Sequence, residues 1–147
     1  MKGTRQLAAT AALALGLTAA PTAPALDDYQ TYLLHCSGCH TPAGIGSARN
    51  DIPSLHRVPG LLSRLPEGRA FLAQVPGIAY SALSNAEIAR VLNWMIKTYS
   101  ADTMPANFTP YTEAEVAELR GKHIVDIMAL RSAVVQRAAA QGIEIKY

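Results

Sequence analysis

The five residues Cys36-Ser37-Gly38-Cys39-His40 constrain this chain more than any other stretch. Two cysteines separated by two residues, with a histidine directly after the second, admit three readings: covalent attachment of haem, a redox-active dithiol, or an incidental local disulfide. These are the only two cysteines in the 147 residues, so the fold must rest on an apolar core and not on a disulfide framework. Haem attachment gives the spacing a physical reason. The two thiols add across the two vinyl groups at one porphyrin edge, and the next residue turns beneath the ring to bring an imidazole to the iron. A thioredoxin-like dithiol sits after a strand in a βαβ pattern, and no such pattern is legible here.

The context of the motif adds to this reading. Residues 1–25 have the layout of a secretory signal peptide: basic Lys2 and Arg5, an uncharged apolar run from Leu7 to Ala20, then Ala23-Pro24-Ala25 as a small-residue cleavage site. The run falls short of the roughly 20 apolar residues that span a bilayer. Cleavage after Ala25 is therefore expected, giving a periplasmic protein that starts near Leu26 and has no stable membrane insertion; an uncleaved amino-terminal anchor is the alternative. Taking Lys2 and Arg5 from the thirteen basic residues leaves eleven, matched by eleven acidic ones. A neutral mature chain without a basic stripe excludes nucleic acid as a partner. Half of the composition is apolar, enough for residues 26–147 to bury the core of one domain.

Periodicity predicts helices. Tyr29, Tyr32, Leu33 and Cys36 fall at helical spacing after Asp27 and Asp28, which suit a helix start. From Thr41 to Pro66, repeated Gly and Pro predict a long irregular segment, and a loop of that length needs something to wrap around. Gly68 to Gln74 suits a short helix, which Pro76-Gly77 breaks. Ser84 and Glu87 form a capping-box pattern before Ile88, Val91, Leu92, Met95, Ile96 and Tyr99, all on one helical face. Thr112 and Glu115 repeat the signature before Val116 and Leu119, with Gly121 at the end, and a last helix is expected from about His123 to Ala140. No segment alternates strictly, so the expected fold is all-α.

With these features together, the chain resembles the small monohaem cytochromes c that carry CxxCH near the mature amino terminus. Tyr32, four positions before Cys36, and Trp94 on the later helix match two aromatic positions that pack together in that family. Pro53-Ser54-Leu55 matches its Pro-x-Leu segment, whose proline carbonyl holds the ring N–H of the proximal histidine. The resemblance covers roughly Asp28 to Tyr99. It implies cytochrome c-like helices wrapped around one covalent haem c, with Cys36 and Cys39 as thioether donors, His40 as proximal iron ligand and Pro53 behind it. Residues 27–100 would then be the core and residues 101–147 a helical extension. Asp28 stands where the family often has a glycine, which bears on how closely the first and later helices cross.

The family's distal methionine has no match. The corresponding stretch, Pro76 to Ala82, contains none. Met104 is the leading substitute, because Met104-Pro105-Ala106-Asn107-Phe108 followed by the Thr112 cap resembles a methionine loop and its helix; the alternative is a loop methionine packed on a helix pair. Met95 and Met128 read as packing residues, His35, His56 and His123 as solvent-facing, and Tyr80 as a cover for the distal face. Arg49, Arg57, Arg64 and Arg69 are candidates for haem propionates or an acidic partner, against the simpler reading of a solvated surface.

Two functions follow as expectations. The first is a periplasmic single-electron carrier rather than an enzyme, taking electrons from an exported dehydrogenase and passing them to an oxidase or another cytochrome. The second is a haem protein with an open or labile distal site that binds small gases or reacts with peroxide. The dithiol oxidoreductase is kept as a third reading.

Overall fold

The computed structural model describes residues 26–122 and 124–146, so the leader, its cleavage site and His123 lie outside the described residues. Among the described residues eight α-helices follow one another: α1 (Asp28–His35), α2 (Ser37–His40), α3 (Val58–Leu62), α4 (Pro66–Gln74), α5 (Pro76–Ala79), α6 (Asn85–Tyr99), α7 (Glu113–Arg120) and α8 (Ile127–Ala140), with a short 3-10 turn at Ala48–Asn50. The extended pairing present is a single bridge between Ser47 and Ile52. The fold is all-α, and none of the described helices is long and apolar enough to cross a membrane.

Local chemistry sets the helix starts. The Asp27 carboxylate accepts from the Gln30 N–H at 2.7 Å, and the Gln30 side chain accepts from the Asp27 N–H at 3.1 Å, closing a capping box on α1. Ser84 and Glu87 do the same for α6. Ile88, Val91, Leu92, Met95 and Ile96 then turn to the interior, each burial contributing about 1.5–3 kcal/mol of transfer free energy. Tyr99, at the end of that face, is partly buried and packs against the same core.

Helix α1 crosses α6 through rings. Tyr32, fully buried, packs on Trp94 at 5.3 Å between centroids, and Tyr29 meets Trp94 at 5.8 Å. Asp28 stands at the edge of this crossing and pairs with Arg90 at 3.0 Å. Helix α7 joins the same core: Tyr111, Val116 and Leu119 are buried in one cluster with Tyr32, Leu55 and the α6 residues. The Asn93 amide exchanges two hydrogen bonds with the Tyr111 backbone, at 2.7 and 2.9 Å. Tyr111, Val116 and Leu119 thus tie residues 101–120 into the main core. Helix α8 covers a smaller cluster of Val58, Leu62, Phe71 and Val134 over α3 and α4.

The segment from Thr41 to Pro66 is more regular than its Gly and Pro content predicts. Pro59 falls in the first turn of α3, where its missing N–H has no helical partner to lose. Pro76 likewise ends α4 and opens α5. Helix α8 begins at Ile127, later than periodicity suggested, because the Asp126 carboxylate accepts from the N–H groups of Met128 and Ala129.

Candidate functional site

The motif is itself a helical turn. The Cys39 and His40 N–H groups donate to the Cys36 carbonyl at 3.2 and 3.0 Å, and Thr41 N–H donates to Ser37 at 2.7 Å. Cys36, Cys39 and His40 therefore stand at i, i+3 and i+4 on one side of a turn. Both thiols are free, Cys39 exposed and Cys36 partly buried against the core. Burial and the neighbouring Cys39 push the Cys36 thiol up to about 11. A dithiol oxidoreductase needs the opposite, a nucleophilic thiol shifted down towards thiolate.

His40 is oriented from behind. Its Nδ1–H donates to the Pro53 carbonyl at 3.1 Å, which leaves the Nε2 lone pair free. Burial lowers the ring's pKa and the Pro53 bond offsets part of that, so the imidazole is neutral at physiological pH. A neutral ring with one nitrogen tied back is the form in which histidine binds metals. Among the described residues, no group of three or more His, Cys, Asp and Glu side chains gathers as donors for an ion.

The loop that carries Pro53 closes against the motif through Gly46. Gly46 has φ +76°, and a Cβ there would lie 2.5 Å from the carbonyl oxygens of Ile52 and Pro53. Only glycine permits this approach. Its N–H donates to the His40 carbonyl at 3.0 Å, so one residue touches both ends of the His40 support. Beyond the motif, three consecutive carbonyls are held by ring side chains. Tyr32 donates to Thr41 at 2.5 Å, Tyr99 to Pro42 at 2.9 Å and His56 to Ala43 at 2.8 Å. Burial raises the Tyr32 phenol's pKa, so it stays a donor across the physiological range.

Comparison with protein-family models, curated proteins and solved structures finds no match. The chemistry of the site must be read from these residues alone.

The structure brings Cys36, Cys39, His40 and Pro53 together, and Met104 packs against the same core cluster as Cys36. Met104 is partly buried at the rim of an open cavity of about 630 Å³, which Ser63, Arg64, Arg69 and residues 105–109 line and neither cysteine nor His40 does. In the stretch from Pro76 to Ala82, Ile78 is buried in the main core and Tyr80 is 76 % exposed. Met95 is buried in the core, and Met128 is 54 % exposed on α8. The histidine at position 56 is exposed, and its bond to Ala43 gives it a structural task.

Three of the four arginines after the motif are tied to protein groups. Arg57 pairs with Asp102 at 2.6 Å, Arg64 Nε donates to the Thr103 carbonyl at 2.8 Å, and Arg69 forms a two-pronged pair with Glu115. Arg120 is a further contributor that the sequence did not single out. Its guanidinium donates to Ala79, Ser81 and Leu83 carbonyls and to the Asn85 side chain, at 2.8 to 3.3 Å, and so gathers the loop between α5 and α6. No local pattern announces such a contact, because the partners lie 35 to 41 residues away.

Proposed function

We propose that the chain is a periplasmic single-electron carrier that holds one haem c through Cys36 and Cys39, with His40 as an axial iron ligand. The observation that carries this reading is the His40 ring. It follows two free thiols on one helical turn, and its Nδ1–H is bound to Pro53 so that Nε2 is available. The donor set fits the group: two thiols would hold two vinyl carbons, and the His40 nitrogen would bind an iron already held by the porphyrin nitrogens. Bound there, the haem supplies a metal that changes oxidation state by one electron.

The chain's residues account for the rest. Cys36 and Cys39 fix the attachment edge, and the exposed position of Cys39 leaves that edge near solvent. Pro53 holds the imidazole in one tautomer and raises its basicity as a ligand. Gly46 lets the Pro53 carbonyl reach that nitrogen. Electron donors and acceptors in this reading are an exported dehydrogenase and an oxidase or another cytochrome, met through small transient contacts. Met104 is the candidate distal ligand.

A second reading, an open distal site that binds small gases or reacts with peroxide, is favoured by one observation: the stretch from Pro76 to Ala82 holds no methionine. The deciding experiment is expression of the full chain with a haem-attachment system, followed by denaturation. Haem that stays on the polypeptide, and is lost from Cys36→Ser/Cys39→Ser, is the expected result; a colourless denatured chain overturns the proposal. Carbon monoxide added to the reduced protein then separates the two readings. A spectrum unchanged by the gas but altered in Met104→Ala supports the carrier, and rapid binding supports the open site.

A further inference from the structure

The open cavity beside Met104 has a charge arrangement that neither reading uses. Its wall carries two arginines with different fates. Arg69 is consumed: Glu115 takes Nε and Nη2, and the Thr109 carbonyl takes Nη1 at 2.6 Å. Arg64 is tethered only through Nε, to the Thr103 carbonyl at 2.8 Å. Its Nη1 and Nη2 have no hydrogen-bond partner or ion pair among the described residues. Among the described residues no acidic side chain lines the cavity. An arginine whose charge is uncompensated, beside a concave surface of about 630 Å³, creates a local preference for an anion.

The tether is rigid, and that distinguishes this arginine from an ordinary surface cation. Thr103 is 2 % exposed, and its hydroxyl donates to the Arg57 carbonyl at 2.6 Å. Gly60 of α3 lies so close that a Cβ would come 2.4 Å from Thr103 Oγ1 and 2.9 Å from Met104 N. The turn carrying Thr103 and Met104 is thus clamped on α3, and the guanidinium fork is partly pre-ordered before any ligand arrives. The rest of the lining supplies a body-sized apolar surface, from Met104, Pro105 and the Phe108 ring, and an amide at Asn107. The Phe108 ring is itself backed by the Arg69 guanidinium at 5.7 Å.

We propose that this cavity is a binding site for a carboxylate attached to a small apolar or aromatic body, with Arg64 receiving the carboxylate and Phe108 the body. The carboxylate comes either from a free organic acid or from an acidic side chain that a partner protein inserts. The groups that would receive the ligand are Arg64 and Phe108, and neither cysteine nor His40 lines the cavity.

The test is calorimetric titration of the purified full chain, as it is obtained from expression with the haem-attachment system, with phenylacetate, with its neutral amide phenylacetamide, and with the dipeptide acetyl-Phe-Glu-amide. Saturable binding of phenylacetate, weakened about tenfold in Arg64→Gln and in Phe108→Ala, is expected for a free acid, about 1.4 kcal/mol in each case. Binding of the dipeptide alone assigns the site to a partner's side chain. Arg64→Lys, which keeps the charge and loses the fork, is expected to bind more weakly than the parent. Arg64 is exposed, so these variants are expected to melt as the parent does. Binding of phenylacetamide as tight as phenylacetate, equal affinity in Arg64→Gln, or no saturable heat with either acid overturns the proposal. Loss of haem attachment in the experiment above leaves this result untouched, so the two ideas fail separately.

Discussion

Replacing Arg69 by methionine keeps the length of the side chain and removes its charge, and the structure sets the size of the effect. Arg69 meets both Glu115 oxygens, at 2.5 and 2.7 Å, donates to Thr109 at 2.6 Å and lies 3.9 Å over the Tyr111 ring. The two side chains are 18 % and 30 % exposed. Fully exposed pairs contribute about 0–1 kcal/mol, and breaking a fully buried one costs about 3–5 kcal/mol. The intermediate burial places Arg69→Met at about 2–3 kcal/mol. In a domain of this size that is a fall in melting temperature of roughly 8–15 °C. Urea unfolding of Arg69→Met, Glu115→Gln and the double variant closes a thermodynamic cycle, for which a coupling of about 1.5–2 kcal/mol is expected. Molar salt should reduce that coupling only partly, because most of the pair is out of water. A coupling below about 0.5 kcal/mol would show that the contact between α4 and α7 is held by the Tyr111 and Val116 packing alone, and the reasoning from pair geometry would fail.

Three further outcomes are expected. Gly46→Ala forces a side chain into a positive-φ position against the Pro53 carbonyl, so it should cost well over about 1 kcal/mol in chemical denaturation and shift the His40 Nδ1 resonance in nitrogen NMR. Asn93→Ala leaves both the Tyr111 N–H and its carbonyl without their partner, and a loss of about 2–3 kcal/mol with faster amide exchange at Tyr111 should follow. The Glu87 carboxyl is held below its ordinary range by the hydroxyl and N–H of Ser84. Its contribution is therefore complete above the unfolded carboxylate pKa and is lost as pH falls through the folded one, so Glu87→Gln should show a shallower loss of urea midpoint between about pH 5 and 3.

The parts of the fold legible in the sequence are those whose cause is local. The caps of α1, α6 and α7 lie within three residues of what they cap, and the burial face of α6 repeats every turn. Helix α3 was hidden because Pro59 and Gly60 read as breakers. In the structure the proline occupies a first-turn position, and the glycine is needed for the close approach to Thr103. The candidate site divides in the same way. The spacing of Cys36, Cys39 and His40 is local chemistry, and Pro53 is one short loop away. The Tyr99 bond to Pro42 and the Arg120 contacts join residues 35 to 57 positions apart and leave no mark in any window of sequence. Residues 101–120, read as part of a helical extension, are held to the core by Tyr111, Val116 and Leu119 and also by the Asn93 amide and the Arg69 and Arg120 guanidinium groups, polar contacts that periodicity does not reveal.

The Arg120 contacts also set an order of events during synthesis. The loop from Ala79 to Leu83 receives its hydrogen-bond donors from a residue that leaves the ribosome about forty positions later, and Asn93 waits for Tyr111. Until then α6 has no α7 to pack against, and a chain stopped near residue 100 exposes that apolar flank. The turn bearing Cys36 and Cys39 comes earlier in the chain, and its own backbone bonds span only three or four residues. Cys39 is still exposed once the later helices are in place, so folding of the last third of the chain does not close off that thiol.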